Sequence, residues 1–319
     1  MKDNNRKGRA TRLFFIMLTA IILFNVTAAV VCYFRFTARL SAPYKRISVK
    51  WSDEMGTVYT DLPAGSEAEN YDLYVPKDAS GKKSLVLYIH GGNFDSGDKS
   101  DGEILCKYLV SKGYVAAAVN YKGISMENDM DILTSLDGIY ETSKFVKDKA
   151  AELGIELDDM AVSGVYGGGT MALLYAYVAP EKSAIPVKYV FEMTGPTSFD
   201  PAAWGYEGEE AKTLVNMIAA TDYAESDIGS EDFNKTVEKI SPVSYLKEGG
   251  VPILIAYGIK DKVVPVTMAA SFSGKLSDAK IEKTFIEFPK SGHLMVHDLN
   301  KTKEFYDTMD TDLEKYLGQ

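Results

Sequence analysis

Short apolar runs alternate with longer amphipathic stretches along most of the chain after residue 48. Two segments near 49–60 and 70–75 alternate apolar and polar positions, as an antiparallel edge does. The later runs predict buried strands at 84–90, 114–121, 160–164, 187–193, 251–258 and 281–288, with helices at about 101–112, 129–153, 168–178, 265–278 and 301–317. Apolar strands that alternate with helices predict an α/β fold with a mostly parallel, twisted sheet flanked by helices.

The rhythm breaks between residues 199 and 245, where the chain becomes acidic. We interpret this segment as a small helical insertion over the carboxyl edge of the sheet, where α/β proteins bind ligands. A disordered loop is the alternative.

An uncharged apolar run covers residues 13–34, and basic residues precede it. As a helix, 22 residues would span about 33 Å, enough for the hydrocarbon layer of a bilayer. The sequence therefore predicts a basic cytoplasmic tail (1–12), a transmembrane signal anchor (13–34), a linker (35–48) and one domain at 49–319. We expect a single-pass membrane protein with an extracytoplasmic domain. A cleaved signal peptide and a buried core helix are alternatives.

The charge pattern limits the partners of the predicted domain. The formal charge is −10, and residues 1–12 carry +4, which leaves −14 on the remainder. An acidic body repels phosphate backbones, so we expect no nucleic-acid partner. Cys32 lies in the apolar run and Cys106 in a predicted helix, so we expect no disulfide between them.

Four motifs with candidate chemistry follow predicted strands in chain order. His90-Gly91-Gly92-Asn93 can place backbone N–H groups near a developing oxyanion. A glycine-rich turn at 164–169 joins a strand to a helix and has Tyr166 at its centre. Asp261 and His293 then follow the last two strands, an arrangement in which an acid orients a general base.

This order of motifs resembles the α/β-hydrolase superfamily, with esterase-like and prolyl-oligopeptidase-like members that carry an HGG oxyanion loop. The resemblance covers roughly residues 49–319. In that family the elbow turn reads G-x-S-x-G. Alignment on Gly164 and Gly168 therefore puts Tyr166 at the nucleophile position. The resemblance implies Asp261 and His293 as acid and base, Gly91, Gly92, Asn93 and Gly167 as the oxyanion site, and an ester, acyl or peptide ligand in the cleft.

The tyrosine departs from the family pattern. A tyrosine oxygen lies far beyond the place of a serine oxygen, so we expect Tyr166 to overshoot His293 and fill the pocket. The elbow should also hold its central residue at unfavourable dihedral angles. Two hypotheses follow: a pseudohydrolase that binds a ligand, or an acyl-bond hydrolase with a non-standard nucleophile such as Tyr166, Ser163 or Thr170. We interpret Thr170 as a helix cap and Ser163 as a strand residue.

Two other interpretations remain open at this point. Gly167, Gly169 and Ala172 also fit G-x-G-x-x-A, and Glu192 ends the next strand, as in a dinucleotide-binding oxidoreductase. His293 and His297 are four residues apart, a spacing that some zinc ligands share. No third metal ligand is evident, so we expect neither a metal nor a cofactor.

Overall fold

The computed structural model describes residues 2–318, and their side chains except those of 2–16, 20, 36, 39–41 and 67. Met1 and the basic side chains of the tail predicted at 1–12 therefore lie outside the described part. The chain forms two compact units, residues 1–45 and 46–319.

Helix α1 is the main element of the first unit and runs over Lys2–Ser41. Within the described residues, its Met17–Arg35 segment is the one helical stretch long and apolar enough to cross a membrane, a property that a signal sequence shares. The predicted linker does not begin at residue 35, because the helix continues to Ser41 and ends just before Pro43. Proline disfavours helical geometry in the residue before it, which explains the stop.

The second unit is built on an eight-stranded sheet in the order β1-β2-β4-β3-β5-β6-β7-β8. Strands β1 and β2 add antiparallel, and the pairs from β4 to β8 are parallel. The strands are β1 (Gly56–Ala64), β2 (Ser66–Pro76), β3 (Gly81–Ile89), β4 (Val115–Val119), β5 (Ile155–Val165), β6 (Val187–Met193), β7 (Ile253–Gly258) and β8 (Lys283–Phe288). The predicted mostly parallel sheet is therefore confirmed.

Helices cover both faces of this sheet. They are α2 (Glu103–Ser111), α3 (Ile132–Glu152), α4 (Gly167–Tyr177), α5 (Pro201–Trp204), α6 (Gly208–Ala219), α7 (Glu231–Ile240), α8 (Val266–Asp278) and α9 (Leu299–Tyr316). Successive residues of a strand face opposite sides. Accordingly, Leu85 and Leu87 of β3 pack in the apolar core with α3, α4 and α8, while Val86 and Tyr88 pack in the core with α2 and α9.

The acidic segment at 199–245 is helical, as predicted, because it contains α5, α6 and α7. Helix α6 buries Leu214, Val215 and Ile218, which rules out the alternative of a disordered loop. Ser230 precedes helix α7, and its hydroxyl accepts the Phe233 N–H and caps the helix.

Candidate active site

The elbow between β5 and α4 consists of one residue, Tyr166, with φ 54° and ψ −126°. Its N–H donates to the Met193 carbonyl at 2.9 Å, and its carbonyl accepts the Thr170 N–H at 3.2 Å. Such a conformation costs a non-glycine residue about 1–3 kcal/mol. The surrounding structure must therefore hold this turn in place.

Glycines on both sides of the elbow are required by close packing. A Cβ on Gly164 would lie 2.2 Å from the Gly168 carbonyl oxygen, and one on Gly168 would lie 2.2 Å from the Ile89 oxygen. Either distance is far below van der Waals contact. The G-x-Y-x-G spacing is therefore a steric condition for packing the end of β5 and the first turn of α4 against β3.

Asp261 and His293 come together from the loops after β7 and β8. Asp261 Oδ2 lies 2.8 Å from His293 Nδ1. The other carboxylate oxygen accepts the backbone N–H groups of Val263, at 2.7 Å, and Val264, at 3.0 Å. The Asp261 side chain is fully buried and that of His293 is 21% exposed. Three hydrogen bonds thus fix the carboxylate so that it orients an imidazole open to the cavity.

The Tyr166 ring stacks on this imidazole. The two ring centroids are 4.5 Å apart and the planes are inclined by 30°. The structure thus brings residue 166 and His293 into contact, with the face of one ring against the face of the other. Tyr166 also lines a cavity of about 800 Å³. The expectation that it would fill the pocket is therefore wrong, because its ring lies against the imidazole and this cavity remains beside it.

The glycine loop after β3 lies directly against the elbow. A Cβ on Gly91 would lie 3.0 Å from Tyr166 Cδ2, and one on Gly167 would lie 2.6 Å from the Gly92 oxygen. Gly92 itself has φ 113°, which favours glycine. The Asn93 side chain is directed to the insertion, with Nδ2 4.0 Å from Met217 Sδ. Gly91, Gly92 and Gly167 therefore share one corner of the site, with Asn93 at its outer edge.

His90, the first residue of this loop, has a supporting place. It is buried and stacks on Tyr121 with ring centroids 4.5 Å apart. Its Nδ1–H donates to the Gly91 carbonyl at 2.8 Å. Burial lowers the pKa of this imidazole, so it is neutral at neutral pH. His90 thus supports the glycine loop and is not in contact with Asp261 and His293, which we call the dyad.

The insertion forms one wall of the cavity that His293 also lines. Most of the lining is apolar, and the charged members are Glu209, Glu210 and Lys262. The lining residues are Gly92, Asn93, Phe94, Tyr166, Gly167, Pro196, Phe199, Trp204, Tyr206, Glu209, Glu210, Thr213, Leu214, Met217, Ile218, Lys262, Val263, Val264, His293 and Leu294. A cavity of this size and character suits a largely apolar small molecule or a short peptide.

The two other candidate nucleophiles, Ser163 and Thr170, are buried and do not line the cavity. Ser163 is only 3% exposed within β5. Thr170 is fully buried, and its hydroxyl donates to the Pro196 carbonyl at 2.7 Å. The interpretation of Thr170 as a helix cap is therefore wrong, because its hydroxyl ties α4 to the loop after β6. Neither residue is a cavity-lining group.

The dinucleotide interpretation is contradicted at Glu192. This residue is fully buried, and its Oε2 accepts the Gly195 N–H at 2.8 Å, so no ribose can reach it. The close approaches at Gly167 and Gly169 are to protein atoms and leave no space for a pyrophosphate. His297 N–H donates to Ser291, and no cluster of three potential metal ligands occurs among the described side chains.

Two features of the site were not predicted from the sequence: the role of Glu192 in packing and the aromatic wall that the insertion supplies. A glutamate in the apolar strand 187–193 is a signal that could have indicated a buried carboxyl. The wall could not be found in this way, because the contacts of Trp204 and Tyr206 with the cavity depend on how the insertion folds back.

Comparison with known proteins places the site in a family. Kynurenine formamidase from Danio rerio is 40% identical over 76 residues, 24% of this chain and 26% of that protein. Acylamino-acid-releasing enzyme from Arabidopsis thaliana is 26% identical over 87% of this chain. The match spans 35% of that enzyme, so this chain corresponds to about a third or less of either relative.

Solved structures show the same fold. The esterase Est2 from Thermogutta terrifontis has a TM-score of 0.64 and 19% identity, with 83% of this chain and 95% of that chain covered. These similarities confirm the α/β-hydrolase fold and an esterase-like hydrolase lineage. The BD-FAE family model matches residues 71–276, which is more than half of the chain. The chain therefore belongs to the BD-FAE family of the α/β-hydrolase superfamily.

Proposed function

We propose that this chain is a membrane-anchored member of the hydrolase lineage that binds an ester, acyl or peptide ligand without forming a serine acyl-enzyme. Tyr166 takes the nucleophile position in this proposal, and Asp261 and His293 are a retained acid–base pair. Gly91, Gly92, Asn93 and Gly167 are the retained oxyanion site. No cofactor or metal enters the proposal.

The contact between Tyr166 and His293 is the observation that supports the proposed loss of conventional serine-hydrolase activity. The Tyr166 ring stacks on His293 at 4.5 Å, beside the elbow where a serine hydroxyl would meet the scissile carbonyl. General-base catalysis requires the base within hydrogen-bonding reach of the nucleophile's proton. A ring stacked against the base supports occlusion of this space.

Ligand binding is supported by the space that remains. The cavity of about 800 Å³ lies within the range of small-molecule sites, and its lining is mostly apolar with a few polar groups. The named activities of the relatives, formamidase and acylamino-acid release, both act on acyl–nitrogen bonds. We extend this shared acyl chemistry to the ligand of the present cavity.

Ester turnover tests this proposal. We would assay the full chain in detergent with short nitrophenyl esters, next to Tyr166→Ser, His293→Ala and the Tyr166→Ser/His293→Ala double variant. The unmodified protein should match His293→Ala, whereas Tyr166→Ser should exceed both by at least about tenfold because general-base catalysis contributes 10²–10⁴-fold. The double variant should lose that gain. Turnover by the unmodified protein that disappears in His293→Ala would contradict the proposal.

A second candidate is an active acyl-bond hydrolase that uses Tyr166 itself. The geometry of Asp261 and His293 favours this candidate. The Asp261 carboxylate is held by two backbone N–H groups and is hydrogen-bonded to the His293 ring, so it can orient a general base. An imidazole base beside a phenol can take the phenol's proton and so activate its oxygen as a nucleophile. Tyr166→Phe separates the candidates, since it keeps the stacked ring and removes the hydroxyl. Only this second candidate expects Tyr166→Phe to abolish turnover.

Helix α1 supports the anchoring part of the proposal. The described side chains of Met17–Arg35 are exposed or half-exposed, and Phe24 is 74% exposed. The amide of Asn25 donates to the Ile21 carbonyl at 2.8 Å, so this polar group has a partner within the helix. Such a helix suits a bilayer, where backbone and polar groups must be satisfied internally. We place its N-terminal end inside the cell and the hydrolase unit outside.

A further inference from the structure

A carboxyl group lies in the core directly behind the elbow. Glu192, the next-to-last residue of β6, is fully buried between Gly164 of β5 and Ile255 of β7. Its Oε2 accepts the Gly195 N–H at 2.8 Å. Its Oε1 has no hydrogen-bond partner among the described residues. A buried carboxyl with one unsatisfied oxygen is costly, so its presence requires an explanation.

The Glu192 carboxyl lies between two segments, the first turn of α4 and the loop after β6. A Cβ on Gly169 would lie 2.7 Å from Oε2, and one on Gly195 would lie 2.9 Å from it. The carboxyl thus fills the space between the first turn of α4 and the loop after β6. The same two segments are tied by the Thr170 hydroxyl, which donates to the Pro196 carbonyl. Pro196 in turn lines the cavity.

A buried phenol links the carboxyl to the dyad side of the site. The Tyr257 hydroxyl donates to the Gly195 carbonyl, so Gly195 is held by Glu192 through its N–H and by Tyr257 through its oxygen. Tyr257 lies on β7, four residues before Asp261. Among the described residues, Tyr257 is the titratable group that interacts with Glu192, and the negative charge of Asp261 also raises the pKa of Tyr257. The facing residues of α4, Gly169 and Thr170, do not titrate.

We propose that Glu192 is the positioning residue of this site, and that its carboxyl holds the first turn of α4 against the loop after β6 and so fixes the elbow that presents Tyr166 to His293. This inference deepens the proposed function, because it names what determines the shape of the cavity floor. Glu192 touches no ligand in this account and acts through the elbow. Burial raises the pKa of Glu192 to about 8, so the neutral acid is the form that supports the elbow at neutral pH.

Histidine NMR tests this role without turnover or a ligand. The chain has only three histidines, so selective labelling of the full chain in detergent micelles gives few signals, and His293→Ala identifies those of residue 293. The stacked Tyr166 ring should shift the His293 ring protons upfield. These signals should also show a step near pH 8, when Glu192 loses its proton.

Two variants at position 192 and one control decide the outcome. Glu192→Gln should keep the upfield shift and lose the step near pH 8, whereas Glu192→Ala should lose the upfield shift. Glu287→Gln, on an exposed residue of β8, should change neither. A step that persists in Glu192→Gln, or an upfield shift that survives in Glu192→Ala, would overturn the proposal. If Glu192→Ala does not fold, the pH profile of Glu192→Gln still decides.

The failure of this inference and that of the proposed function can be distinguished. Should Tyr166→Ser remain inactive while Glu192→Gln removes the pH step, only the proposed function fails. Should Tyr166→Ser gain turnover while the pH step remains in Glu192→Gln, only the role of Glu192 fails.

Discussion

Tyr166 combines a strained backbone with a stacked side chain. Its positive φ is held by two backbone hydrogen bonds and by glycine contacts on both sides. Aromatic stacking contributes about 0.5–1.5 kcal/mol beyond the buried area. The stack on His293 therefore offsets part of the 1–3 kcal/mol that the elbow conformation costs. Both effects act at one residue, so a change there alters the turn and the base together.

Substitutions of Asp261 separate its structural role from its electrostatic role. Asp261→Ala should lower the free energy of unfolding by about 1–3 kcal/mol, because two backbone N–H groups and the His293 ring lose their acceptor. Asp261→Asn should cost less than about 1 kcal/mol, since one amide oxygen can still accept both Val263 and Val264. Chemical denaturation of the full chain in detergent measures both values. Equal losses in the two variants would contradict the hydrogen-bond assignment.

The Asp261→Asn substitution should affect catalysis much more strongly than stability. In a Tyr166→Ser background, Asp261→Asn should remove most of the turnover that Tyr166→Ser gains, a loss of at least about tenfold, because the imidazole then adopts the wrong tautomer. Nitrophenyl ester assays of the Tyr166→Ser/Asp261→Asn variant, compared with Tyr166→Ser alone, measure this effect. Undiminished turnover would show that Asp261 does not orient His293.

Glu192 should make stability depend on pH. Its pKa is raised from an ordinary 4.5 to about 8 by burial, so the folded protein keeps a proton that the unfolded chain releases. The free energy of unfolding should therefore fall as pH rises from about 4.5 to about 8, by up to about 1.4 kcal/mol per pH unit. Above pH 8 this contribution stays at its reduced level.

Denaturation at pH 5, 6.5 and 8 checks this dependence. Glu192→Gln should flatten the profile, because the amide does not titrate, and the exposed Glu287→Gln should leave it unchanged. Parallel profiles for the unmodified protein and Glu192→Gln would contradict the raised pKa.

At the scale of elements, the packing of α4 against β3 is the feature most sensitive to volume. Gly168→Ala would place a Cβ 2.2 Å from the Ile89 oxygen and 2.4 Å from the His90 oxygen, and backbone cannot move aside easily. We expect a loss of about 3 kcal/mol in unfolding free energy. Gly274→Ala in α8 is the matched control, because no atom lies within 4 Å of its added Cβ.

The control should have the opposite sign. A glycine in a helix costs about 0.5–1 kcal/mol relative to alanine, so Gly274→Ala should stabilise the protein by this amount. Thermal unfolding followed by circular dichroism measures both variants. A Gly168→Ala protein as stable as the unmodified chain would show that the first turn of α4 is not packed on β3 as described.

Local pattern predicted these elements well where apolar runs are continuous, and less well elsewhere. Strand β6 matches its predicted range, Val187–Met193. Strand β5 begins at Ile155, five residues before the prediction, because its first half alternates buried residues with exposed Glu156 and Asp158. This part pairs with Gly81–Lys83 of β3, a contact that the local sequence does not reveal.

In the candidate site, too, some features follow from the local sequence and others depend on distant contacts. Its candidate residues could be singled out because Asp261, His293, the HGG loop and the elbow each lie in the loop or turn that follows a strand. The direction of the Tyr166 ring was not, since a side-chain rotamer depends on neighbours such as His293 that are distant in sequence. The cavity wall was missed for the same reason.

At the scale of the whole molecule, the central question is whether α1 holds the hydrolase unit at a membrane. We expect the unmodified chain to resist carbonate extraction. Phe24→Arg together with Val26→Arg should release it, because each charge at the centre of a span costs about 2.5–3.5 kcal/mol. Phe145→Arg, an exposed position of α3, is the control and should remain in the membrane fraction. Extraction of the unmodified chain, or loss of its first residues by mass spectrometry, would contradict a retained anchor.

Covalent labelling tests most directly whether residue 166 occupies the nucleophile position. The full chain and its Tyr166→Ser variant would be treated with a fluorophosphonate and digested, and the modified residue would be located by mass spectrometry. We predict no label on the unmodified protein and a label on residue 166 of Tyr166→Ser that disappears with His293→Ala. A label on another serine of the unmodified protein, such as Ser163, or none on residue 166 of the variant, would contradict the account.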